Sequence, residues 1–204
     1  IVKMITTELI KKTLKYFDSL KDKDFVVKPS LPILYFGDLN AYKKSNIKIV
    51  TIGKNPSHNE FKLNKNDNYS FIRFPKWKSK EQNNLIESIN PYFRLNPLKN
   101  WFSSFEPILN GLSSSYYGEY DSTALHTDIC SPLATYPTWS NLSQKNKKLL
   151  EEEGFEIWEQ LIEELQPDIM LISIPRALFE KHFTSYIKEL VEFTHKKNGE
   201  KRQK

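Results

Sequence analysis

The chain has 204 residues and a net charge of +5; 39% of it is hydrophobic and 13% aromatic, which suits one globular domain with a sizeable core and excludes a disordered chain. Its one cysteine, Cys130, excludes a disulfide framework and a cysteine-rich zinc site, and the scattered His58, His126, His182 and His195 define no metal site. No apolar run is long enough to span a membrane and no signal core opens the chain, so a cytoplasmic protein is expected; the basic balance favours a polyanionic partner, with a Lys-rich solvated surface as the plainer alternative.

Residues Thr6 to Leu20 place Leu9, Ile10, Leu14, Phe17 and Leu20 at helical spacing, which predicts an amphipathic opening helix. Pro29 and Pro32 break the chain before Ile33 to Asp38, a short extended piece or turn. The β-branched run Ile47 to Ile52 is a strand that ends in Gly53. Residues Asn59 to Lys80 are polar and irregular but carry Phe61, Tyr69, Phe71, Phe74 and Trp77, a pattern of functional or packed-down loops. A helix follows over Pro97 to Leu112, kinked or divided at Pro107. Thr123 to Ile129 is a second strand, followed by a loop with two prolines. Ser143 to Leu165 is helical, read as two helices parted near Gly154. Asp168 to Ile174 is a third, buried strand, Arg176 to Phe183 a helix or turn, and Tyr186 to Phe193 is ambiguous between helix and strand. This alternation implies a three-layer α/β/α domain with a central parallel sheet, spanning residues 1–204.

Parallel strands deliver their loops to the carboxyl edge of the sheet, where ligands bind. The leading site is therefore Gly53-Lys54-Asn55-Pro56-Ser57-His58. Gly53 lets the backbone approach a ligand, Pro56 fixes the turn, and Asn55 and His58 supply neutral polar groups. The plainer reading is a turn built from ordinary turn formers.

Three strand ends in this order resemble the uracil-DNA glycosylase superfamily. Its best-known branch reads G-Q-D-P-Y-H, where Gly53, Pro56 and His58 stand in register, and other branches have an Asn at the position of Asn55. The family's second element is an apolar strand ending in Asn, which reads the flipped base; Leu125-His126-Thr127-Asp128 stands there, with Asp128 in place of the Asn. Pro167 to Ile174 is similar to the third element. The family's fourth strand and its H-P-S motif have no counterpart after Ile174, so the expectation is a domain truncated at its C-terminus, with 190–204 as the start of a hairpin leading toward that strand.

The resemblance implies a DNA glycosylase, a hydrolase of base excision and DNA repair. Such an enzyme must extrude a base, stack it and read its edge. Phe71 and Phe74 are candidates for the stacking surface; the alternative is that they pin a long loop into the core. Asn55 would position the attacking water through its side-chain carbonyl, and being neutral it is no strong base. His58 donates to sugar or phosphate, or packs in the loop. Lys54 and Ser57 approach the phosphate backbone. A Ser at 57, where the best-known branch has Tyr, leaves space at the 5-position of a pyrimidine. An ionised Asp128 only accepts and so prefers an exocyclic amino group, which points to cytosine-type bases alongside uracil-like ones. Alternatively Asp128 is protonated, turned away, or a helix cap. The expected partner is duplex or single-stranded DNA, bound by a monomer without cofactor or metal. A non-catalytic nucleic-acid-binding or partner-binding module is the second class, and a nucleotide-handling hydrolase or transferase, lacking a glycine-rich phosphate loop, the third.

Overall fold

The computed structural model describes residues 5–65, 67–78 and 84–184, together with 194–195 and 201–202; at 67–69 and in those last two pairs only the backbone is described. The chain divides into two units, Ile1–Ser173 and Ile174–Lys204.

In the first unit α1 (Thr7–Leu20) starts where Thr6 Oγ1 accepts the Leu9 N–H at 3.3 Å, and it buries Leu9, Leu14 and Leu20. The segment Leu31 to Gly37 is buried throughout and leads into α2 (Leu39–Lys44), capped by Asp38. All five residues of β1 (Ile49–Gly53) are buried. After it come a 3-10 turn at His58–Phe61 and the hairpin β2 (Leu63–Asn64) and β3 (Asp67–Phe71). Four short helices follow: α3 (Leu85–Ile89), α4 (Tyr92–Leu95), α5 (Lys99–Phe102) and α6 (Glu106–Gly111). The pattern expected as one helix over Pro97 to Leu112 is thus divided, and Pro107 sits in the first turn of α6, where its missing N–H leaves no bond unmade. The expected strand over Thr123 to Ile129 is interrupted at Ala124: β5 (Ser122–Thr123) pairs with β4 (Ser114–Ser115), and β6 (Leu125–Asp128) joins the main sheet. Then come α7 (Gln144–Leu165) and β7 (Ile169–Ile172).

The main sheet is parallel with order β6-β1-β7. Its register pairs Thr51 with His126 and Gly53 with Asp128, so these four residues share one face, and Leu125 and Thr127 point to the other. Trp158 Nε1 of α7 donates to Thr127 Oγ1 at 3.1 Å on that second face. The first face is covered by aromatic rings, with Phe102 centred 5.2 Å and Phe36 5.6 Å from the His126 ring. A mixed α/β fold around a parallel sheet is therefore present.

Two expectations need correction. Helix α7 runs unbroken through Gly154, because the glycine serves packing and not chain reversal: a Cβ there would run into the Cys130 carbonyl oxygen and lie 3.0 Å from Ser131 Cα. The third strand is not buried like the first. Met170 is 40% exposed and its neighbours in β7 are half-buried, since among the described residues no strand pairs with the outer edge of β7. In the second unit, α8 (Arg176–Phe183) is a helix, and β8 (Thr194–His195) pairs antiparallel with β9 (Lys201–Arg202). The ambiguous segment 186–193 and the rest of the hairpin expected over 190–204 lie outside the described residues. No helix among the described residues is long and apolar enough to cross a membrane.

Candidate active site

The ladder between β1 and β6 continues past the strand ends: the Ile129 N–H donates to Gly53 O at 3.0 Å and the Cys130 N–H to Lys54 O at 2.8 Å. Two strand-end loops are thereby held side by side, and they floor a cavity of about 410 Å³, within the range of small-molecule sites. Lys54, Asn55, Pro56, Ser57 and His58 line it from the first loop and His126 and Asp128 from β6. Gly53 lies beneath them. A Cβ on it would sit 2.6 Å from Asp128 Oδ1 and 3.1 Å from His126 Nε2, so the glycine leaves the space that these two side chains occupy.

Asn55 Nδ2 donates to Leu133 O and to Thr135 Oγ1, both at 3.2 Å. A backbone carbonyl only accepts, so the amide nitrogen must face it and Oδ1 stays available as an acceptor. His58 lines the cavity with its Nδ1 buried and unpartnered, its ring edge-on to Tyr136 at 5.4 Å. Lys54 Nζ reaches Ser140 Oγ at 3.3 Å, and Ser57 Oγ accepts the Asn59 N–H at 3.2 Å, starting the 3-10 turn.

Asp128 is 7% exposed, and its Oδ1 lies 3.6 Å from His126 Nε2. On the other side of that ring, Nδ1 is 2.7 Å from Thr51 Oγ1, which also bonds the Tyr116 hydroxyl. Burial pushes the Tyr116 phenol far above its usual range, so it remains a neutral hydroxyl in this chain of contacts. His126 is thus fixed from below, with Nε2 turned toward Asp128.

Phe71 and Phe74 do not line this cavity. Their rings pack with Phe61, at 5.5 Å and 5.8 Å, and Phe74 stacks on Tyr92 at 5.6 Å, so they pin the long loop into the core. Phe36, Trp101, Phe102 and Trp139 supply the aromatic lining instead. None of these four is near the Gly53 loop in sequence, and their convergence comes from the fold. His126 could have been found by alternation, since period two places it on the face of Asp128. Glu60, two residues past His58, also lines the cavity and went unmarked in the sequence because nothing there shows that it is buried, at 3% exposure. Its Oε2 accepts the Tyr92 hydroxyl at 2.8 Å and lies 3.6 Å from Arg73 Nε. Among the described residues no three His, Cys, Asp or Glu side chains gather where they could hold a metal ion.

The chain matches no family model, and neither a curated protein nor a solved structure matches it.

Proposed function

We propose that the chain is a DNA N-glycosylase of the uracil-DNA glycosylase type, a three-layer α/β/α domain that hydrolyses the bond between deoxyribose and a flipped pyrimidine. The observation that carries this reading is the meeting, in one cavity, of an Asn55 carbonyl oxygen with no protein donor to it among the described residues and a buried carboxylate, Asp128, beside aromatic walls. Stacking on an aromatic wall and reading by a buried acceptor are what a flipped base requires. Asn55 Oδ1 orients the water that attacks the anomeric carbon. As a neutral acceptor it aligns that water without deprotonating it strongly, so departure of the base leads the reaction. Asp128 accepts from the exocyclic amino group of a cytosine-type base, and the small Ser57 leaves room for a 5-substituent. The half-exposed Trp101 and the exposed Tyr136, beside the cavity residue Thr135, are faces on which neighbouring bases can stack.

The test is base release from oligonucleotides carrying uracil, cytosine or 5-modified cytosine, in single and double strands. The expected outcome is an abasic product from at least one, with Asn55→Ala slowing it by about 10²-fold or more. Salt-sensitive DNA binding with no product from any substrate would make the chain a binding module instead.

A further inference from the structure

Two carboxyl groups line the same cavity, and only one of them is absorbed by reading the base edge. Glu60 enters from the 3-10 turn after the Gly53 loop, and Asp128 from the end of β6. The Tyr92 hydroxyl accepts the Leu98 N–H at 3.0 Å, so its own hydrogen is directed to Glu60 Oε2 at 2.8 Å. Arg73 Nε lies on that same oxygen's side at 3.6 Å, too far to bond, and is itself buried without a partner. With Oε2 committed as an acceptor, a proton on this carboxyl belongs on Oε1, which no described residue bonds.

Resting on the glycosylase reading, we propose that Glu60 is the general acid of the reaction and protonates the departing base from Oε1. Cytosine-type bases are poor leaving groups as anions, and a proton at N3 or at the ring carbonyl lets them leave neutral. The Glu60 Oε1–H bond breaks as the proton passes to the base, and the C1′–N1 bonding pair leaves with the base. The water held by Asn55 adds to C1′ and its extra proton goes to solvent, from which Glu60 is reprotonated. The sum is one water consumed, one free base and one abasic sugar formed.

The protonation state suits this role. The charged and titratable groups that face Glu60 are Tyr92, Arg73 and Asp128, and burial, the largest influence, outweighs the pull of the Tyr92 hydrogen bond and of Arg73; the negative charge of Asp128 adds to burial, and the carboxyl is pushed up to about 8. A buried acid at neutral pH beside a second carboxyl that reads the substrate is a division of labour set by environment.

The test compares two cytosines with the same amino edge, 5-methylcytosine and 5-fluorocytosine, in single-turnover base release from pH 5 to 10. The fluorine makes the base a better leaving group, so its release depends less on an acid. For the wild-type protein the 5-methylcytosine rate should fall as pH rises through about 8 while the 5-fluorocytosine rate changes much less. Glu60→Gln, which keeps an acceptor for Tyr92, should slow 5-methylcytosine release by about 10²-fold or more and 5-fluorocytosine release by about tenfold or less, and abolish the alkaline fall. Equal slowing of both substrates, or an alkaline fall that survives in the variant, overturns the Glu60 assignment and leaves the glycosylase reading standing. A wild-type protein that releases neither cytosine at any pH overturns the Glu60 assignment, and one that releases no uracil either removes the glycosylase reading as well. Should the variant not fold, a wild-type profile that is flat and identical for the two bases overturns the assignment by itself.

Discussion

In the proposed reading Asp128 sets which base edge the site accepts, because a carboxylate receives hydrogen bonds and gives none. It is 7% exposed, and its Oδ1 lies 3.6 Å from His126 Nε2, whose ring is fixed at its other nitrogen by Thr51. Asp128→Asn supplies a donor and an acceptor in the same volume. Preference should then move from cytosine-type toward uracil-type bases by about 10- to 100-fold, the factor for leaving a buried polar group mispaired, as read from the ratio of kcat/KM on the two oligonucleotides. An unchanged ratio would show that Asp128 does not touch the base. That Asn55 and Asp128 line the cavity was legible from the sequence, because Asn55 lies two residues past the end of β1 and Asp128 ends β6, and strand ends face the ligand edge of such a sheet. The aromatic lining was not legible, since Phe36, Trp101 and Trp139 reach the cavity only through tertiary packing. Phe71 and Phe74 mislead for the converse reason: a polar neighbourhood in sequence does not reveal that Phe61 and Tyr92 are waiting to enclose them.

At the level of elements, the three strands of the main sheet are legible in the sequence, whereas the β2–β3 hairpin hides in a polar stretch that reads as irregular and the continuity of α7 through Gly154 is not apparent. Glycine in a helix interior costs about 1 kcal/mol relative to alanine, so a sequence reading takes it for a break. Here helix α7 tolerates that cost in order to bring its backbone close to Cys130 and Ser131. The same Cys130 donates its N–H to Lys54 O, so the approach of α7 supports the loop pair that floors the cavity. Gly154→Ala should therefore lower stability despite alanine's better helix propensity, by about 1–3 kcal/mol, because the obstacle is backbone and cannot rotate aside. The shift of the urea midpoint measures it. A stabilised variant would mean that α7 can move away from the loop without loss. The β7 edge was misjudged for another reason: an apolar run such as Ile169-Met170-Leu171-Ile172 reads the same whether it has neighbours on both sides or on one.

For the molecule as a whole, a carboxyl kept neutral by burial couples folding to pH. Glu60 is 3% exposed and pushed from 4.5 up to about 8, chiefly by loss of solvation. In the unfolded chain the group ionises near its ordinary value, so between those two pH values the folded state holds the extra proton. Stability from this group is therefore fully present below the unfolded value, falls as pH rises toward the folded one, and levels off above it. The amount at stake is on the order of a few kcal/mol, a large share of the stability of a typical domain. Glu60→Gln keeps the volume and the acceptor for Tyr92 but cannot ionise. The difference in unfolding free energy between the variant and the natural chain should then move in the variant's favour by a few kcal/mol from pH 5 to pH 9, other titrating groups cancelling in the comparison. Denaturant titrations at a series of pH values would show it. A difference that stays constant across that range would mean that Arg73, 3.6 Å from Oε2, holds Glu60 ionised in the folded state, and the Oε1 proton required for leaving-group chemistry would be absent.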